Sequence, residues 1–177
     1  MMKENKKLVS HAGNSLTLLG QTTIVGQLAP DFTAIDKNGL GVSLSDFKGK
    51  IVVVTVFPSI DTSVCARQTH EFNRLAVEMG SDVVLLSVSR DLPFALARFC
   101  GAEGIDRVFP LSDFKECDFG LKYGFLIKES QLLARGVVII DPHGVIRYVE
   151  YVSDLVNEPN YEQAMEALKK LKSEQLS

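Results

Sequence analysis

One stretch constrains this chain more than any other: Ile51 to Phe57 (IVVVTVF), an almost unbroken β-branched and aromatic run that Pro58 stops. It lacks the polar–apolar alternation of a half-exposed strand, so it reads as a strand buried on both faces. Such a strand needs covering layers on two sides. Asp82 to Val88 (DVVLLSV) and Gly136 to Ile140 (GVVII) are runs of the same kind. Between the first two, Val64, Phe72, Leu75, Ala76 and Met79 recur on one broad side of a helix that Gly80 closes. Two buried strands joined through a helix form a parallel unit.

The flanking segments complete the pattern. Leu92-Pro93 opens a second helix, expected to end near Gly101, because proline suits a first turn. Arg107 to Leu111 reads as a short strand and Phe114 to Tyr123 as one or two irregular helical turns. Val145 to Val152 follows Gly136–Ile140 after the turn Asp141-Pro142-His143-Gly144, predicting an antiparallel hairpin. Tyr161, Ala164, Met165, Leu168 and Leu171 share one face of a closing helix over Asn160 to Lys172, a core-packing stripe. At the other end, Lys7–His11 and Leu16–Leu19 flank Ala12-Gly13-Asn14 as a hairpin. Phe32–Ile35 is a short strand turned by Asp36–Gly39, and Ser43–Phe47 is a helical turn ended by Gly49. The expectation is an α/β chain with a mixed central sheet in a three-layer sandwich. A single domain occupies 29–177, preceded by a β-hairpin extension over 1–28.

Composition narrows the function. The chain has 177 residues, 46% of them hydrophobic and 23% charged, which is ordinary globular usage. Lys and Arg number 19 against 22 Asp and Glu, and no basic run exceeds Lys6-Lys7 or Lys169-Lys170. That argues against nucleic acid as a partner. No window approaches the ~18 to 20 apolar residues of a membrane span. The opening MMKENKK is basic but has no apolar region behind it, so no secretory signal is expected and the cytoplasm is the default compartment. That charged opening has no evident role. Three cysteines are an odd count for a structural disulfide framework and are read one by one.

Phe57-Pro58-Ser59-Ile60-Asp61-Thr62-Ser63-Val64-Cys65 carries the most chemistry. A buried strand ends, a polar loop follows, and Cys65 falls in the first turn of the next helix. Free N–H groups and the positive end of the helix dipole favour a thiolate there. A buried, inert cysteine fits the same residues, and the residues alone leave both readings open. Other sites find less support. No Cys or His pair has zinc-ligand spacing. His70, five residues after Cys65, faces away from it, and neither His11 nor His143 is framed for a Cys-His protease. Gly101-Ala102-Glu103-Gly104 lacks the lysine of a phosphate loop.

Pro58-x3-Thr62-x2-Cys65 resembles the PxxxTxxC signature of peroxiredoxins. The longer strings FPSIDTSVC, RDLPFALARFCGAEG and LLARGVVIID are similar to the thiol peroxidase branch, the atypical two-cysteine type, and the likeness runs from about Ala29 to Ala167. The resemblance implies a thioredoxin-like fold and a set of roles. Cys65 is the nucleophile that becomes a sulfenic acid. Thr62 holds sulfur and peroxide oxygen together, and Pro58 shapes the pocket and limits water. Arg135 supplies positive charge. Cys100 resolves the sulfenate into an intramolecular disulfide. Cys117 lies outside the motifs and reads as packing. The implied activity is reduction of hydrogen peroxide and organic hydroperoxides without metal, haem or flavin. A thioredoxin-like protein is the reductant and a homodimer the assembly. The competing expectation is a redox sensor or interaction module using the same cysteine pair without turnover.

Overall fold

The run at Ile51 lies at the centre of a seven-stranded sheet. The protein is described over residues 1–177 by a computed structural model. Its strands are β1 (Glu4–His11), β2 (Asn14–Leu19), β3 (Thr33–Ile35), β4 (Gly41–Ser43), β5 (Ile51–Val56), β6 (Val83–Ser89), β7 (Phe109–Ser112), β8 (Leu126–Ile127), β9 (Gly136–Ile140) and β10 (Ile146–Tyr151). Its helices are α1 (Ser63–Met79), α2 (Pro93–Glu103), α3 (Asp118–Tyr123) and α4 (Tyr161–Leu176). A 3-10 turn covers Leu44–Phe47. The large sheet runs β10-β9-β5-β6-β7-β3-β4, and a smaller one runs β1-β2-β8. β5, β6 and β7 are parallel, while β9 lies antiparallel to β5 and β3 antiparallel to β7.

Burial on both faces follows from side-chain alternation. Val52, Val54 and Val56 of β5 enter one core cluster with Leu86, Val88, Val138 and Ile140. Ile51 and Val53 enter the other with Leu85, Val137 and Ile139. Phe72, Leu75 and Met79 of α1 and Leu168 and Leu171 of α4 cover this second face. The first face is covered by a mixed layer: Phe32, Phe119, Tyr123 and Phe125 pack there, with Val9 and Leu18 of the N-terminal hairpin. The fold is thus the expected mixed α/β sandwich, with one outer layer helical and the other built from a short helix, loops and the hairpin. No helix is long and apolar enough to cross a membrane.

Several boundaries differ from the sequence expectation. α2 continues through Gly101 to Glu103 and stops at Gly104, which adopts φ +67° and donates its N–H to Cys100 O. A mid-helix glycine costs only about 1 kcal/mol, so Gly101 does not end the helix. The chain after the Asp36–Gly39 turn returns as β4 against β3. Leu126–Ile127, within a segment that reads as loop, is a strand because β2 pairs with it. α3 is shorter than the irregular turns expected from Phe114, and α4 extends to Leu176.

Candidate active site

β5 ends at Val56, and the chain crosses Phe57 and half-buried Pro58 into the loop before α1. Thr62 caps the helix. Its backbone is extended (φ −96°, ψ 146°) and its side-chain oxygen accepts from Cys65 N at 3.4 Å. The lone pair serves the cap, and the single hydroxyl proton faces two acceptors, Cys65 Sγ at 2.7 Å and Ser59 O at 3.2 Å, with the sulfur the nearer. One side chain both starts the helix and touches the sulfur. Cys65 is 0% exposed and packs with Phe57, Ile60 and Leu96.

Arg135 comes from the other end of the sequence and meets the same sulfur. It immediately precedes β9, the antiparallel neighbour of β5, and its Nη1 reaches Cys65 Sγ at 3.4 Å. Nη1 also donates to Gln68 Oε1 at 2.8 Å, while Nε and Nη2 donate to Leu155 O at 3.3 and 2.9 Å. The residue is 2% exposed. Its protein acceptors besides the sulfur are a neutral amide and a neutral carbonyl. A buried guanidinium is costly without counter-charge, and here it is aimed at a sulfur held by a second donor. Gly136 lets this corner close, because a Cβ there would lie 2.1 Å from Glu150 O and 2.5 Å from the Phe125 ring.

The redoxin family model matches residues 24–165 of this chain. The chain belongs to the redoxin family. A thiol peroxidase of Bacillus subtilis is 48% identical over 163 residues, covering 92% of this chain and 97% of that protein. A thiol peroxidase of Oceanobacillus iheyensis is likewise 48% identical, covering 92% of this chain and 98% of that protein. Among solved structures, a peroxiredoxin-like protein from Aquifex aeolicus superposes with a TM-score of 0.87 at 37% identity, over 96% of this chain and 98% of that one. This redoxin has thiol-dependent peroxidase activity, and the sensor reading is not favoured.

Two groups of this redoxin's site were given no role by the sequence reading. Gln68 is fully buried; its Nε2 donates to Thr55 Oγ1 at 2.6 Å and Val56 O at 3.1 Å, and its Oε1 faces Arg135. A signal existed: a polar residue three positions after Cys65 shares its helix face. The second is Asp91. Its carboxylate accepts from Ser59 Oγ at 2.9 Å, Ile60 N at 2.8 Å and Ser89 Oγ at 2.7 Å, pinning the loop between Pro58 and Thr62 to the end of β6. Ser112 Oγ donates to its backbone carbonyl.

The remaining cysteines are separate from this centre. All three are free thiols. Cys100, in the last turn of α2, packs beside Phe99 against the α1–α4 face, whereas Cys65 lies in its own small cluster. Burial pushes the Cys100 thiol up. Cys117 starts α3 at φ +52°, and burial, with Asp113 beside it, pushes its thiol up to about 12. Iodoacetamide near neutral pH is therefore expected to leave Cys117 unmodified in the native protein, since only thiolate reacts. Peptide mapping checks this; rapid native labelling of Cys117 would contradict its buried, protonated state. His70 is exposed and pairs with Glu103 at 3.1 Å, away from the sulfur. No group of three or more His, Cys, Asp or Glu is placed to hold a metal ion.

Proposed function

We propose that this redoxin reduces hydrogen peroxide and organic hydroperoxides through Cys65, with Thr62, Arg135 and Pro58 forming the pocket and Cys100 resolving the product. One observation carries the reading: Cys65 Sγ sits between the Thr62 hydroxyl and the Arg135 guanidinium. The thiolate attacks one peroxide oxygen, the O–O bond breaks, and the leaving oxygen takes a proton and departs as water or alcohol. Cys65 becomes a sulfenic acid. Charge develops on both oxygens as the bond breaks, and the two donors already aimed at the sulfur lie where that charge forms. Cys100 then condenses with the sulfenic acid, forming a disulfide and releasing water. A thioredoxin-like dithiol protein restores both thiols. A cytoplasmic homodimer completes the proposal. Peroxide-dependent NADPH consumption with thioredoxin and its reductase tests it. Sustained turnover is expected, whereas consumption of a single equivalent would point to a sensor.

Resolution is expected to open α2. A disulfide spans Cα atoms only ~4.4 to 6.8 Å apart, and the two thiols occupy different apolar clusters. α2 is held lightly. Pro93 and Leu96 are its only fully buried residues, and the His70–Glu103 pair near its end is exposed and worth at most ~1 kcal/mol. On oxidation, hydrogen-exchange protection over Ala95–Gly101 is expected to fall. Unchanged protection in protein whose Cys65–Cys100 bridge is confirmed by mass would mean that no opening step is needed.

A further inference from the structure

The N-terminal hairpin has no part in the reading above, yet its contacts lead to the active-site arginine. Two of the four hydrogen bonds made by the Arg135 guanidinium end on one atom, Leu155 O. Leu155 follows β10 in an irregular segment. Its carbonyl stays where the guanidinium needs it only if something holds that segment.

The hairpin holds it. Leu155 N donates to Ser10 O at 2.9 Å, and Ser10 N donates back to Ser153 O at 2.8 Å. Ser10 Oγ adds a bond to Ser153 O at 3.0 Å. Between them, the Asp154 carboxylate takes Ala12 N on Oδ1 and Gly13 N on Oδ2, each at 3.0 Å, and Val156 N on Oδ1 at 3.2 Å. Ala12 and Gly13 have φ of +48° and +81°. Alanine rarely adopts that conformation, and here it turns two successive N–H groups toward one carboxylate, as an anion nest does. The hairpin itself is fixed ground. Val9 and Leu18 are buried in the main core, and β2 is paired to β8.

We propose that the N-terminal hairpin is a positioning device for Arg135 and that Asp154 is the positioning residue through which it acts. The linkage runs from the Ala12–Gly13 turn through Asp154 to Leu155 O, then to Nε and Nη2, and so to the placement of Nη1 against Cys65. Loss of the Asp154 carboxylate leaves the segment held by its bonds to Ser10 alone, and the looser Leu155 O lets Arg135 lean on Gln68. The inference rests on the role proposed above for Arg135.

The test compares two reactions of Cys65 in full-length protein carrying Cys100→Ser, which stops resolution. Oxidation by hydrogen peroxide needs an aligned guanidinium; alkylation by iodoacetamide does not. Asp154→Ala is expected to slow oxidation about tenfold or more, the scale of a small misplacement in a preorganised site. Alkylation should hold steady or quicken. Asp154→Asn, which keeps one acceptor oxygen, should recover part of the loss. Ser10→Ala removes one bond at the same junction and should lower the ratio of the two rates in the same direction, by less. It keeps the question answerable if Asp154→Ala folds poorly. An unchanged ratio in folded variants overturns the proposal, as does an equal fall in both rates, which marks general loosening. Arg135→Met run alongside separates the layers. If it too leaves oxidation unchanged, the reading of the arginine fails; if it alone slows oxidation, only the hairpin inference fails.

Discussion

Cys65→Ser is expected to abolish peroxide turnover while the protein stays folded. The replacement is nearly isosteric in a site with no exposure. Its hydroxyl can still take the bonds from Thr62 and Arg135, so no buried donor is orphaned and the stability change should stay within ~0.5 to 1.5 kcal/mol. Chemistry has no such substitute. A hydroxyl is a weak nucleophile without an adjacent general base, and the two side chains at the sulfur are donors. Coupled thioredoxin–NADPH turnover and thermal unfolding measured together give the decisive pair. Most of the activity surviving in a folded Cys65→Ser protein would remove Cys65 as the nucleophile.

Arg135→Met should lower kcat/KM for peroxide by about a hundredfold to a thousandfold, the ~3 to 4 kcal/mol that one preorganised donor contributes where charge develops. The magnitude follows from what the alternatives can supply. Converting a few per cent thiolate to full thiolate gains at most ~30-fold, and nucleophilicity falls as a thiol becomes more acidic. The rest must come from charge stabilised as the O–O bond breaks. Methionine fills much of the same volume and removes a buried cation that has only neutral anchors, Gln68 and Leu155 O. Gln68 Oε1 and Leu155 O lose their donor, which offsets the removal of the buried charge, so folding stability should change much less than turnover. Stopped-flow oxidation of Cys65 by hydrogen peroxide measures the effect; a wild-type rate constant would show that the arginine is not needed in the reaction.

Much of the scaffold was legible because its signals are local. Ile51–Phe57 and Gly136–Ile140 announce doubly buried strands through side-chain chemistry alone, and both are interior strands of the large sheet. The helical pattern after Thr62 puts Cys65 in a first turn, and α1 begins at Ser63. Signals failed where a distant partner decides. Leu126–Ile127 carries too little pattern to be a strand and becomes one because β2 lies beside it. Gly101 has the character of a helix end, but the helix runs on to the left-handed turn at Gly104.

The candidate site divides in the same way. Sequence by itself determined that Cys65 would occupy the first turn of a helix after a buried strand, because neighbouring residues are bound to neighbouring places. Its resemblance to the thiol peroxidases also singled out Arg135, seventy residues further on. Tertiary structure alone decided how that arginine is held. The antiparallel register of β9 on β5 brings it to the sulfur, Gln68 approaches from α1, and Leu155 O approaches from a segment tied to the hairpin turn. Those contacts join residues separated by up to 142 positions. No local propensity encodes them: a carbonyl acceptor belongs to every residue, and only packing determines which one a buried guanidinium finds.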